Sequence, residues 1–157
     1  MAEESRVTLA MHPDDPPIPN FQGYPRIMNS VESFEQLVRL RSSPANGICF
    51  CQGTFAEMGV DIPSTIRRLG PHIKYVHFRD IRGTNSRFVE TFHDDGQTNM
   101  VEAMRAYRDI RFEGPMRPDH VPQLAGEEEG EAGYTMLGRL FAIGYMRGLM
   151  QSVGDAG

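Results

Sequence analysis

Four metal-binding residue types stand where short apolar runs of this sequence end: His12, Cys51, His77 and the pair Asp119-His120. The runs are Val7–Met11, Gly47–Phe50, Ile73–Val76 and the weaker Phe112–Met116. Each reads as a buried strand, so the reactive residues lie at successive strand ends. If the strands are parallel, those ends converge on one rim. Two imidazoles, a thiolate and a carboxylate gathered there form a mixed site for a divalent transition metal, and the thiolate inclines it toward iron or zinc. In the competing reading Cys51 is a small buried hydrophobe, and His12 and His77 only cap strands by hydrogen bonds. Four ligand types at four successive strand ends favour the metal.

The loops after these strands carry further candidates. His12-Pro13-Asp14-Asp15-Pro16-Pro17 is stiff, because each proline restricts its own φ and the residue before it. That stiffness suits a preorganised ligand, or a simple turn. Arg117 stands two residues from Asp119, placed either to clamp a substrate carboxylate or to form a structural ion pair. His93-Asp94-Asp95-Gly96 reads as a polar turn at the substrate rim. The acidic run Glu127–Glu131 reads as a solvated, mobile loop, and Tyr134 as a proton donor or acceptor, or a staple, at the start of the last helix.

The elements that position these residues alternate. Phe34, Leu37, Val38 and Arg41 form a helical face behind Ser30 or Ser33 as cap. Ile62, Ile66 and Leu69 form another, with Pro63 suited to a first turn. A short hairpin is expected around Arg87–Phe92, followed by a Met100, Val101, Met104, Tyr107 stripe behind Thr98. The longest helix is expected from Tyr134 to about Gln151, with Leu137, Leu140, Phe141 and Leu149 inward and Gly138, Gly144 and Gly148 allowing close packing. The order βαβαβαβα implies parallel strands with right-handed crossovers. Four such units make either a small open sheet or half of a (β/α)8 TIM barrel. The reactive strand ends favour the half barrel, with residues 1–157 as one segment.

The formal charge of −5 with scattered cations argues against nucleic acid or an anionic membrane as partner. No run approaches the roughly 20 apolar residues of a membrane helix, and the polar, acidic opening residues lead us to expect no signal peptide. Cys49 and Cys51 stand too close in sequence to bridge, so reduced thiols and a cytoplasmic protein are expected.

Six ordered stretches resemble the mannonate dehydratases of hexuronate degradation, within the xylose-isomerase-like barrel group. They are His12–Pro17, Phe50–Thr54, Val76–Arg79, Phe92–Gly96, Arg117–His120 and Gly133–Leu140, and the resemblance runs from about residue 2 to residue 150. It implies that His12, Cys51, His77 and Asp119 hold Mn2+ or Fe2+, and that the reaction turns D-mannonate into 2-keto-3-deoxy-D-gluconate and water. His120 and Tyr134 are the residues expected to move protons, in an order the sequence leaves open. Val121-Pro122 departs from the family, which has glycine after Arg-Pro-Asp-His. Family members are about twice this length, so the chain reads as a C-terminal half whose N-terminal barrel strands are absent. Expected partners are the sugar acid and either a complementary N-terminal half or further copies of the chain. Two rivals share these residues: a sugar isomerase or epimerase, and a remnant that binds metal or a partner half without chemistry.

Overall fold

The computed structural model describes residues 1–154. The chain opens with β1 (Leu9–Met11), then a two-residue ribbon, β2 (Asn20–Phe21) and β3 (Tyr24–Pro25), and helix α1 (Val31–Leu40). Next come β4 (Asn46–Cys51), α2 (Gln52–Glu57), α3 (Ile62–Leu69), a 3-10 turn over Gly70–His72 and β5 (Ile73–Phe78). A hairpin of β6 (Ile81–Thr84) and β7 (Arg87–Glu90) leads to α4 (Met100–Asp109), β8 (Met116–Pro118) and α5 (Met136–Val153). Strands β1, β4, β5 and β8 form one sheet in that order, and every pairing is parallel. This is the four-unit α/β arrangement expected of half a TIM barrel.

Helix starts follow the capping residues. Ser30 accepts from the Ser33 backbone N–H, Asp61 from Ser64, and Asn99 from Glu102, which displaces the expected Thr98 by one position. Pro63 falls in the first turn of α3, where its missing N–H costs nothing. On the helix-facing side of the sheet, Ile48, Phe50, Val76 and Phe78 are fully buried against Phe34, Phe55, Ile66, Met104 and Tyr107. Because side chains alternate along a strand, Cys49, Cys51, Tyr75 and His77 point to the other side.

Three expectations are corrected. The fourth strand begins at Met116 rather than Phe112, because Phe112 donates its N–H back to Tyr107 and closes the end of α4. Helix α5 begins at Met136, so Tyr134 precedes it. Of its expected inward residues only Leu149 is buried: Leu137, Leu140 and Phe141 are 45%, 57% and 40% exposed. The buried stripe is Gly138, Ala142, Met146, Leu149 and Val153, so small residues carry much of the contact. A Cβ on Gly138 would sit 2.5 Å from the Pro122 carbonyl oxygen, whereas nothing lies within 4 Å of one on Gly144 or Gly148.

Candidate metal centre

Parallel register brings the ligand candidates together. Cys51 is paired with His77 across β4 and β5, and His77 with Arg117 across β5 and β8. Asp119 lies two residues beyond Arg117, hence on the same face, and His12 follows directly on β1. The donor atoms of His12, Cys51 and His77 all lie within 4.8 Å of one another. Asp119 Oδ2 is 3.6 Å from His77 Nδ1 and 3.9 Å from Cys51 Sγ, and His12 Nε2 is 3.2 Å from His77 Nδ1. Ligand atoms about 2.0–2.3 Å from a tetrahedral ion stand roughly 3.3–3.8 Å apart, so the donors of His12, Cys51 and His77 are spaced to close on a divalent metal, and Asp119 borders two of them. The imidazole of His12 is preset for the task. Its Nδ1–H donates to the Pro13 carbonyl at 2.7 Å, which leaves Nε2 with its lone pair toward the cluster.

A second array borders the first. His120 Nδ1 is 2.9 Å from Glu90 Oε1, and its Nε2 is 2.9 Å from the Tyr134 hydroxyl. With Glu90 ionised, Nδ1 donates, so Nε2 accepts the tyrosine proton. The hydrogen bond to Glu90 raises the His120 pKa. Burial works against the Glu90 charge, but hydrogen bonds from His120 and Arg79 hold its pKa below the ordinary value. Burial raises that of Tyr134, with the Asp119 charge adding to it.

Arg79 joins the two arrays. Its guanidinium is 1% exposed and donates to Asp15 at 3.0 Å, to Glu57 at 3.1 Å and to both oxygens of Glu90 at 2.6 and 3.0 Å. It also reaches Cys51 Sγ at 3.7 Å. The path for Arg79 is opened by Gly53, where a Cβ would come within 2.8 Å of the arginine's Cδ. The two aspartates after His12 divide their work: Asp15 takes Arg79, while Asp14 accepts from Arg26 and from the Met28 backbone.

The remaining candidates fall out differently. Arg117 donates to Asp119 at 2.8 Å, the ion pair that was one of its two expected roles. His93 turns into the core rather than the rim, with Nε2–H donating to the Phe78 carbonyl at 2.7 Å. Asp95 is tied to Arg82. The acidic run is anchored rather than loose: Glu127 accepts the backbone N–H groups of Leu124 and Leu137, capping α5 from outside the helix. Val121 and Pro122 pack at the base of this loop, where Val121 is bridged to Gly133. Glu90 was missed as a site residue. The readable signal was in β7, where Val89 faces water and the acidic Glu90 shares the inward side with Phe88.

Comparison with known proteins identifies the family of the chain. The family model for D-mannonate dehydratase (UxuA) matches residues 1–156. A mannonate dehydratase from Oceanobacillus iheyensis is 41% identical over 98% of this chain and 44% of its own length. One from Enterococcus faecalis is 37% identical over 97% of this chain and 43% of its own. The chain therefore spans under half the length of these relatives. The crystal structure of mannonate dehydratase from Streptococcus suis superposes with a TM-score of 0.89 at 31% identity, covering 98% of this chain and 46% of that one. A D-tagatose 3-epimerase-like protein shares the fold alone, with a TM-score of 0.69 at 17% identity. Among the described residues no helix is long and apolar enough to cross a membrane.

Proposed function

The chain belongs to the mannonate dehydratase family, and on that premise we propose that it supplies the metal-bearing half of a barrel that dehydrates D-mannonate to 2-keto-3-deoxy-D-gluconate. The observation that carries this reading is the meeting of donor atoms from His12, Cys51 and His77, with Asp119 within 3.9 Å of the last two, beside the Glu90–His120–Tyr134 array. The ion we assign is Mn2+ or Fe2+, which when bound supplies Lewis-acid stabilisation of negative charge developing at the carboxylate end of the substrate.

The chain's own residues handle the protons. His120, with Nδ1–H given to Glu90, presents a basic Nε2 that accepts the C2 proton of the substrate once the Tyr134 hydroxyl turns from it to the departing oxygen. Tyr134 gives its hydroxyl proton to the departing C3 oxygen, which leaves as water. The resulting enol becomes the 2-keto acid when C3 takes a proton. The 2.9 Å contact between Nε2 and the tyrosine oxygen lets the proton gained by His120 restore the Tyr134 hydroxyl. Arg117, 40% exposed beside Asp119, is placed to hold the substrate carboxylate. We assign the protein to the cytoplasm on its free, buried cysteines.

The length of the relatives favours a second reading, in which these residues bind metal but turn over only with a complementary half or a further copy of the chain. The test is formation of 2-keto acid from D-mannonate with Mn2+ or Fe2+, alone and with the first half of a relative's barrel added. Metal-dependent product is expected, and it should vanish in Cys51→Ala. Undiminished turnover by that variant would overturn the ligand assignment, and turnover of a neutral ketose instead of the aldonate would favour an isomerase or epimerase.

A further inference from the structure

The sulfur of Cys51 is hydrogen-bonded from two sides by groups that are not themselves ligands. The Thr54 hydroxyl lies 3.1 Å from Sγ, and Arg79 Nη1 lies 3.7 Å away. All three side chains are buried. Thr54 reaches the sulfur because Cys51 is the residue before α2 and Thr54 falls in that helix's first turn, three positions on. Its hydroxyl has one proton and a more distant second acceptor, Asp15 at 3.4 Å, so the sulfur is the favoured partner. Arg79 cannot swing away, since Asp15, Glu57 and Glu90 hold its guanidinium and Phe88 lies 5.7 Å beneath it.

A bare thiolate is a soft, strongly donating ligand that draws zinc and other soft ions, whereas imidazole and carboxylate also serve harder ones. Hydrogen bonds to the sulfur withdraw electron density from it, and outer groups of this kind tune a metal site without touching the ion. We propose that Thr54 and Arg79 are specificity-determining residues: by hydrogen-bonding the Cys51 sulfur they harden it and shift the site's preference away from Zn2+ toward Mn2+ or Fe2+. The inference rests on the reading of His12, Cys51, His77 and Asp119 as ligands. Any divalent ion displaces the same thiol proton, so the ratio of two affinities cancels the effect of these hydrogen bonds on the thiol's acidity. What remains is the softness of the sulfur.

The experiment is competitive titration of the full chain with Mn2+ and Zn2+, alongside the sulfur-to-metal charge-transfer band of the Co2+-loaded protein. Thr54→Val keeps the shape and removes the donor, Thr54→Ala removes it with less bulk, and Thr54→Ser keeps the hydroxyl. The Zn2+/Mn2+ affinity ratio is expected to rise about tenfold in the first two. Their Co2+ band should move to longer wavelength, because a more donating sulfur is easier to oxidise, and Thr54→Ser should match the parent on both counts. A ratio and band unchanged in Val and Ala variants that bind metal, or a Thr54→Ser that behaves like them, overturns the inference alone. A parent chain that binds neither ion overturns the ligand assignment and this inference with it.

Discussion

Glu57 is a buried carboxyl whose charge the fold disfavours, and its replacement by glutamine gives a test with a defined size. It is fully buried, with one oxygen accepting from Arg79 at 3.1 Å and the other without a hydrogen-bond partner among the described residues. Burial, then the nearby Asp15 charge, push its pKa from 4.5 to about 8, and Arg79 offsets only part of this. Three carboxylates share one guanidinium, so the innermost keeps its proton. A carboxyl whose pKa is raised on folding binds more protons in the folded state between the two pKa values, so stability falls as pH rises through that window. From pH 6 to pH 8 the folded group goes from protonated to about half ionised, while the unfolded one is ionised throughout. At about 1.36 kcal/mol per unit, less the rounding near the upper pKa, the loss is about 2 kcal/mol. Glu57→Gln keeps an oxygen for Arg79 and removes the ionisation. Urea unfolding of both proteins at pH 6 and pH 8, at one protein concentration, should show the parent losing about 2 kcal/mol more than the variant. Comparing the two proteins cancels His120, whose raised pKa also makes stability fall with pH. Equal losses in parent and variant would refute the reasoning about Glu57.

Gly138→Ala should drive a methyl group into the Pro122 carbonyl oxygen, 2.5 Å from its ideal position, and cost about 1–3 kcal/mol. A thermal transition lowered by several degrees checks this, and an unchanged midpoint contradicts it. Glu90→Ala should leave the His120 tautomer unfixed, so at a pH alkaline enough to keep the ring neutral its 15N chemical shifts should show a mixed Nδ1–H and Nε2–H population where the parent shows Nδ1–H alone. Edge strand β1 exposes Leu9 and Met11, and α5 exposes Leu137, Leu140 and Phe141. At about 25 cal/mol per Å², burying several hundred Å² of such surface is worth several kcal/mol, comparable to a domain's net stability. The chain alone should therefore elute from size exclusion as an oligomer, and a sharp, cooperatively melting monomer would contradict that expectation.

The clustering of His12, Cys51, His77 and Asp119 was legible from the sequence because their placement follows from two simple rules. Parallel strands end on one side, and a strand's side chains alternate, so a chemically active residue at each apolar run's end is enough to locate the rim. What escaped were relations set by tertiary contact. Arg79 sits in a motif that the sequence displays, but its attachment to Asp15, Glu57 and Glu90 joins positions 64, 22 and 11 residues away. The inward side of α5 was misread because apolar residues surround that helix. Proximity to Val121 and Pro122, not hydrophobicity, selects the Gly138 side for burial. His93 looked like a rim residue because nothing local reveals that its ring reaches back to the Phe78 carbonyl.

The bridge between Val121 and Gly133 lies immediately inside His120 and Tyr134, the two residues we propose to handle protons. It acts as a clasp: the segment it closes can change without altering the distance between its two ends. For a flexible loop each doubling of length costs only about 0.6 kcal/mol of closure entropy. Inside that segment Glu127 caps α5, Gln123 bonds to the carbonyls of Glu127 and Gly130, the Glu128 carboxylate accepts from the Gly126 backbone, and the Gly130 N–H closes a turn on the Glu127 carbonyl. The junction of Gly130 and Glu131, both exposed and lying between that turn and the one closed by the Tyr134 N–H on the Glu131 carbonyl, is thus where residues can be added without breaking either turn. A tag or reporter grafted there would leave the clasp to keep His120 and Tyr134 in register.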